Sequence, residues 1–476
     1  MALKALNPAI SWRSKPVLPV EELPALKLSL RRSACPPAPF AVGGHVAARI
    51  AAGDGGFGGP VASGEAVSTN AVRKNVDLAT LGNLCVDIVL GVPRLPPASK
   101  GERQAYMEQL AASPPDKKFW EAGGNCNLAI AAARLGLSCF TLGHVGDEIY
   151  GNFLLDALQD ENITFVGMSE NADGGARSAG YETLLCWVLV DPFQKHGFCS
   201  HADFNEEPAF SWMSKLTEEA KMGIQQAKIL FCNGYAFDEL RPNIIASALD
   251  CAICAGTTVF FDPGPRGKTL LHGTPEEQKA LELLMRQSDV LLLTSDEAES
   301  LTGIKNPIRA GEDLMNRGVR TKWVIIKMGS KGSMLINRST VACAPAFKVN
   351  VVDTVGCGDS FTAAVAFGFL HGMPEVTTLA LANAVGGATA TGYGAGRNVA
   401  HLSTVLELLK QSNLNEDDKF WNKLIEESSL INETLLLSKA SINGQNDRLI
   451  RIPFSNVVFE LLTKFDTARE RSTIRS

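Results

Sequence analysis

Residues 351–364 read VVDTVGCGDSFTAA, and their order describes the end of a strand, a tight turn and the start of a helix. Val351 and Val352 end the strand, Gly356, Cys357 and Gly358 form the turn, and Asp359 opens an apolar helix running through Phe369. Small residues there let successive backbone N–H groups converge at a helix N-terminus, where unsatisfied donors and the helix dipole both favour an anion. Asp359 stands beside that nest, able to accept a proton. Taken singly, these residues are compatible with an ordinary N-cap and glycine turn. The whole pattern D-T-x-G-x-G-D is not: with each fixed residue at about one in fifteen to twenty, it arises by chance roughly once per million starting points.

Outward from this segment, short apolar runs alternate with stretches of helical periodicity. Residues 138–142, 228–232, 258–261, 290–293 and 323–327 read as strands, and 127–135, 242–255 and 276–287 as helices. Ordered sequence begins near Val76, where VDLATLGNLCVDIVL reads as a buried strand ending in a glycine-containing turn. The alternation predicts an α/β fold, a mostly parallel central sheet with helices on both faces, over residues 76–411. Segments 96–118 and 174–212 interrupt it and are candidates for a lid over a ligand crevice. Residues 412–476 form an extension to which the pattern assigns no role, and VVFELLTKF within it suits a helix or a strand.

Charged residues make up 20% and hydrophobic ones 45% of the 476 residues, the balance of a chain that buries a sizeable core. A net charge of -6 with scattered basic residues gives no general attraction to nucleic acid or anionic lipid. No apolar run has the roughly eighteen residues of a membrane span, so a soluble protein with neither kind of partner is expected. Eleven cysteines, an odd number at irregular spacings, read as free thiols of a reducing compartment. Cys251 and Cys254 form a C-x-x-C without a second pair at zinc spacing, and read as two core thiols one helical turn apart. Residues 1–50 carry seven Lys or Arg against Glu21 and Glu22, with Ser and Pro among them, and a Gly-rich stretch follows over 53–64. Residues 1–75 are therefore expected to be a transit peptide and flexible linker, with a plastid or mitochondrion as destination.

A phosphoryl group in transfer spreads charge over its oxygens, which suits an amide nest beside a base. Residues 353–359 resemble the C-terminal signature of the PfkB/ribokinase family, ATP-dependent kinases of sugars and nucleosides, and the resemblance extends from about residue 78 to about 399. It implies a ribokinase-like fold with a small lid, Asp359 as catalytic base, and Gly356, Cys357 and Gly358 as the anion hole. Cys357 fills a slot usually held by a small residue and would act through its N–H, leaving the thiol without a chemical role. GNLCVD (82–87) resembles the first strand's G-x-x-x-x-D and gives Asp87 the substrate hydroxyls. AGGNCN (122–127) resembles the N-terminal signature and gives substrate contacts to Gly124 and Asn127; Ala122 and Asn125 depart from it, implying a substrate unlike that of typical ribokinases.

On the nucleotide side, residues 294–297 align with the family's N-x-x-E, so that Glu297 would act on Mg²⁺ through water, with Thr294 in place of Asn. KMGSKG (327–332) resembles the T-x-G-x-x-G loop; Gly329 and Gly332 match, and Lys327 replaces Thr. Asn383 and the loop 392–396 around Gly394 fall where the family encloses adenine. DPGPR (262–266) resembles D-P-x-x-R, whose Arg266 would neutralise phosphate. Many members also use a monovalent cation, which places K⁺ at the carbonyls near Asp353. There is no G-x-x-x-x-G-K-[ST], so this is not a P-loop protein. The implied cofactors are ATP and Mg²⁺, with K⁺, and the implied partner is a small sugar or nucleoside; Trp120, Trp187, Phe193 and Trp212 are available to stack on a base. Oligomeric state stays open, a homodimer being one option. The rival reading is a catalytically silent, kinase-like subunit of an organellar complex, against which the intact base and turn argue.

Overall fold

The computed structural model describes residues 73–473 except 98, 114, 169–181, 194, 428–432 and 440–448. Residues 1–72, most of the expected leader and linker, and part of the 174–212 segment lie outside the described residues.

The strands are β1 (Val76–Leu81), β2 (Leu84–Gly91), β3 (Trp120–Gly124), β4 (Cys139–Gly143), β5 (Thr164–Gly167), β6 (Leu184–Val190), β7 (His196–Ser200), β8 (Ala227–Asn233), β9 (Thr258–Asp262), β10 (Val290–Thr294), β11 (Trp323–Lys327), β12 (Ser333–Ile336), β13 (Thr340–Ala344), β14 (Glu433–Ser438) and β15 (Leu449–Pro453). Among the described residues they form two sheets, in the orders β15-β14-β13-β12-β11-β10-β9-β8-β1-β4-β5 and β3-β2-β6-β7. In the large sheet only β12 runs against its neighbours. Alternate residues of its central strands feed separate cores on opposite faces: Ile229, Phe231 and Leu292 on one side, Leu230, Cys232 and Leu291 on the other. Helices Asn125–Arg134, Cys357–Leu370 and Glu375–Thr389 cover the first face, and Glu218–Gln226, Pro242–Cys254 and Pro307–Arg317 the second. This two-sided burial is why the strands read as nearly continuous apolar runs.

The run beginning at Val76 is two strands rather than one. Gly82 and Asn83 adopt φ of 65° and 54°, left-handed values that Gly and Asn reach most cheaply, so the chain leaves the large sheet after β1 and enters the small one as β2. Residues 184–190 and 196–200 supply β6 and β7 of that sheet, whereas the 96–118 segment contributes the helix Lys100–Ala111. Beyond residue 411 the chain continues the large sheet with β14 and β15. VVFELLTKF lies within the helix Phe454–Thr473, whose Glu460 accepts from Thr377 Oγ1 at 3.0 Å. Cys251 and Cys254 do share the helix Pro242–Cys254, but Cys254 is exposed, so the pair is not a core pair.

Candidate active site

Four adjacent parallel strands, β8 to β11, end in polar residues after buried apolar ones: Asn233, Asp262, Thr294 and Lys327. A strand's hydrophobicity marks its buried part, so the sequence reading stopped one residue short on β8, β9 and β10. Those last residues stand on the carboxyl edge of the sheet, where open α/β sheets bind ligands.

The signature segment arrives at this edge. Gly356, at φ 74°, caps the helix Cys357–Leu370, and an added Cβ would come within 2.7 Å of Ala395 Cβ. Gly358 and Asp359, second and third in the helix, present N–H groups without intrahelical acceptors. The Cys357 N–H is directed at Thr354 O at 3.3 Å, so it is the least available of the three amides assigned to the anion hole. Burial and the carboxylates of Asp353 and Asp359 push the Cys357 thiol up to about 12. Asp359 accepts from Asn127 Nδ2 at 3.3 Å. Its carboxyl is pushed up to about 6, mainly by burial, with Asp262 adding to the rise while Lys327 and Asn127 oppose it.

Asp359 lines a cavity of about 280 Å³ together with Asp87, Gly124, Asn127, Gly356 and Arg266. The cavity is enclosed by the small sheet, on which side chains alternate: Cys85 and Asp87 face the cavity, while Leu84, Val86 and Ile88 join the core. Asp87 is pushed up to about 7 by burial, with further rises from Asp359 and Glu121. Its carboxylate sits over Gly123 of β3, where any Cβ would collide with it. At Gly124, with φ 58°, a Cβ would run into the carbonyl oxygen of Asn83.

Lys327 brings an ammonium to the mouth of the nest. Its Nζ is 2.6 Å from Asp262 Oδ2 and would lie 3.8 Å from a Cβ built on Gly358. Burial works to lower its pKa, but Asp262 and Glu297, with Asp359, raise it above the usual lysine value. Glu297 is the third helical residue of a capping box: its Oε2 accepts from Thr294 N at 2.7 Å, and its N–H donates to Thr294 Oγ1 at 3.2 Å. Thr294 therefore serves as the N-cap of this helix, a position that Asn also suits. Gly329, at φ 55°, borders open space, whereas Gly332 packs against Ala344 O.

Several residues do something other than expected. Asn383 spends both amide hydrogens on Ala344 O and Pro345 O and accepts from Ser333 Oγ, so it clasps β12 and β13 with no donor left for adenine. Arg266 lies between Asp203 and Asp238, at 2.7 and 2.8 Å, over the Tyr235 ring; its charge is spent and does not wait for phosphate. Asn127 Oδ1 accepts from Gly396 N at 2.6 Å, leaving only a second Nδ2 hydrogen for a sugar. Asn125 is fully buried, tying Leu81 O and Gly82 O and accepting from Asn233. Neither it nor Ala122 lines the cavity. The Asp353 carboxylate is met by His196 Nε2, Val355 N and Gly394 N at 2.6, 3.0 and 2.8 Å, and the carbonyl oxygen of Ala390 lies against its backbone N–H. None of the four aromatics named for base stacking lines the cavity; Trp120 packs on Tyr150 and Phe153 instead. Sequence reading missed His196, Asp203, Asp238 and Glu239, which carry no motif signal because their roles arise only when separate strands and loops meet, and it gave no role to Gly123 within the 122–127 motif.

Known proteins with similar sequences and structures fit this geometry. The model of the pfkB family of carbohydrate kinases matches residues 102–401. Fructokinase-1 of Oryza sativa subsp. japonica is 25% identical over 347 residues, covering 70% of this chain and 96% of the relative. A 5-dehydro-2-deoxygluconokinase of Bacillus anthracis is 26% identical over 319 residues, covering 65% and 87%. Arabidopsis thaliana ribokinase complexed with ribose and ATP aligns in structure with a TM-score of 0.51 at 22% identity, over 70% of this chain and 99% of that one. A ribokinase-II-type protein of E. coli in complex with ATP and Mg²⁺ gives 0.56 at 18%, over 71% and 99%. The structural likenesses give the ribokinase-like fold, and the family match, spanning more than half of the residues, gives the activity class: this chain belongs to the PfkB family of carbohydrate kinases, phosphotransferases.

Proposed function

We propose that this chain transfers the γ-phosphoryl group of ATP to a hydroxyl of a neutral sugar held between the two sheets, with Asp359 as general base. The observation that carries this reading is the meeting of Asp359, Asp87 and the signature turn in one cavity, with Lys327 at the turn's mouth. Asp87 and the remaining hydrogen of Asn127 orient the sugar. Asp359 takes the proton of the attacking hydroxyl, and the amides of Gly358 and Asp359 with the Lys327 ammonium hold the developing charge. The small sheet is the lid that keeps water from competing as acceptor. Glu297 suits Mg²⁺ through water, since its second oxygen is outside the capping bond and its charge faces Asp262 and Lys327. Mg²⁺ bound there would neutralise phosphate charge.

The electrostatics favour a neutral acceptor over a sugar acid. Asp87, Asp203, Asp238 and Asp359 line the cavity against Arg266, which is already paired. A carboxylated sugar would find no unspent cation there and several carboxylates to repel it. Although Phe198 and Tyr235 line the cavity, membership of a family of carbohydrate kinases favours a sugar over a nucleoside. The basic, acid-poor residues 1–50 support import into a plastid or mitochondrion. The test is ADP release with ribose, fructose, gluconate, adenosine and inosine as acceptors. Turnover of a neutral sugar is expected; turnover confined to gluconate or to nucleosides would overturn the assignment.

A further inference from the structure

Two arginines and two aspartates from four separate elements meet beside the cavity, and Asp203, Asp238 and Arg266 line it. Arg266 opens the helix Arg266–Leu270 after β9, and Asp238 lies in the helix Ala236–Glu239 after β8, so both stand on the carboxyl edge of the large sheet. Asp203 ends the helical turn His201–Asp203 that follows β7 of the small sheet, and Arg103 belongs to the helix Lys100–Ala111. Asp238 Oδ2 takes Nε and Nη2 of Arg266 at 2.9 and 2.8 Å, while Asp203 Oδ1 takes Nη2 at 2.7 Å. The other Asp203 oxygen accepts from Ser200 N at 2.9 Å and lies 3.7 Å from Arg103 Nη2. Arg103 is itself anchored on Phe198 O.

Neither structural task of Asp203 needs a negative charge. Ser200 N–H requires only an acceptor oxygen, which uncharged capping residues also supply. Arg266 is already held by Asp238 through two of its nitrogens and by the Tyr235 ring, 5.3 Å from the guanidinium carbon. What the charge does is complete the neutralisation of the group, two cations against two anions. Without it the wall would carry one cation in excess, centred on a guanidinium that lines the cavity. A planar guanidinium fork is the group best shaped to take a carboxylate, and Asp203 is a carboxylate already seated on it.

Resting on the kinase reading above, we propose that Asp203 is a specificity-determining residue: its carboxylate occupies Arg266 in place of that of an acidic acceptor, and so confines the enzyme to neutral sugars. The test uses the full chain as wild type, Asp203→Asn and Asp203→Asn/Arg266→Met. Asn has one oxygen for two tasks and no charge, while Asp87, Asp238 and Asp359 stay as they are, so the difference reads Asp203 alone. In each protein kcat/KM is measured for gluconate and for whichever of ribose and fructose wild type turns over faster, and gluconate binding is followed by calorimetry. The ratio of gluconate to neutral-sugar kcat/KM is expected to rise by about ten-fold or more in Asp203→Asn. Gluconate should bind this variant about ten-fold or more tighter than wild type, less so as KCl is raised, and both gains should vanish in the double variant. Both acceptors slowed alike with an unchanged ratio would make Asp203 a latch between the sheets and overturn the proposal. So would a gain that survives Arg266→Met, or wild type that uses gluconate as well as the neutral sugar. Wild-type protein that turns over no acceptor would count against the kinase reading alone, and gluconate binding across the three proteins would still decide the role of Asp203. If Asp203→Asn does not fold, Asp203→Ser, whose hydroxyl also suits a cap, carries the same comparison.

Discussion

A methyl group on Gly123 reaches the chemistry through Asp87, the carboxylate that orients the sugar, and without touching Asp359. An ideal Cβ there would meet both carboxylate oxygens of Asp87, the farther at 2.6 Å, whereas ordinary contact begins at 3.4 Å. The carboxylate must therefore retreat by roughly 1 Å. Gly123 is not among the positive-φ residues, so Ala brings no backbone strain, and Asp87 has the cavity to move into. Stability should change by no more than about 1 kcal/mol. Misplacing a substrate-positioning group by about 1 Å costs on the order of 10²-fold, or about 2.7 kcal/mol of transition-state stabilisation. Steady-state ADP release should show kcat/KM for the sugar falling by that factor in Gly123→Ala, with KM for ATP within about two-fold of wild type. Because the methyl acts through Asp87, the double variant Asp87→Ala/Gly123→Ala should be no slower than Asp87→Ala. Wild-type kcat/KM in Gly123→Ala, or a double variant whose losses multiply, would refute the reasoning.

Other changes test other parts of the site. Asp359 must be ionised to act, so kcat/KM should fall as pH drops through about 6; Lys327→Met removes the ammonium that restrains that pKa and should move this acid limb up by about one unit, read from a pH–rate profile. Glu239 is buried and pushed up to about 8, mainly by burial, so the folded state keeps a proton that the unfolded chain releases near 4.5. Its contribution to stability is therefore lost as pH rises from about 4.5 to about 8, at up to about 1.4 kcal/mol per pH unit. Denaturant titrations should show Glu239→Gln gaining on wild type across that window. Cys357→Ala should keep kcat within about two-fold, since a thiol held protonated is no nucleophile.

The large sheet was legible because each central strand is buried on both faces and so reads as an apolar block between helical stretches. Asp359 and its turn were legible because Gly356, Gly358 and the carboxylate must be contiguous for the nest to form. The small sheet was harder to see: the run from Val76 looks continuous, and only the left-handed Gly82–Asn83 pair divides β1 from β2. Asn383 and Arg266 show the opposite difficulty, since a motif names a residue type but not its partners. In each case the decisive groups, Ser333 with two carbonyls and Asp203 with Asp238, lie far away in the chain. His196 could not be read at all, because its meaning comes entirely from the register of β6 and β7 beside Asp353.

The most direct measurement is turnover by Asp359→Asn beside its affinity for ATP. With the side chain's shape kept and its basicity removed, kcat should fall by about two to four orders of magnitude, while calorimetry finds ATP bound within a few-fold of the wild-type Kd. A variant that phosphorylates the sugar at close to the wild-type rate would contradict the account.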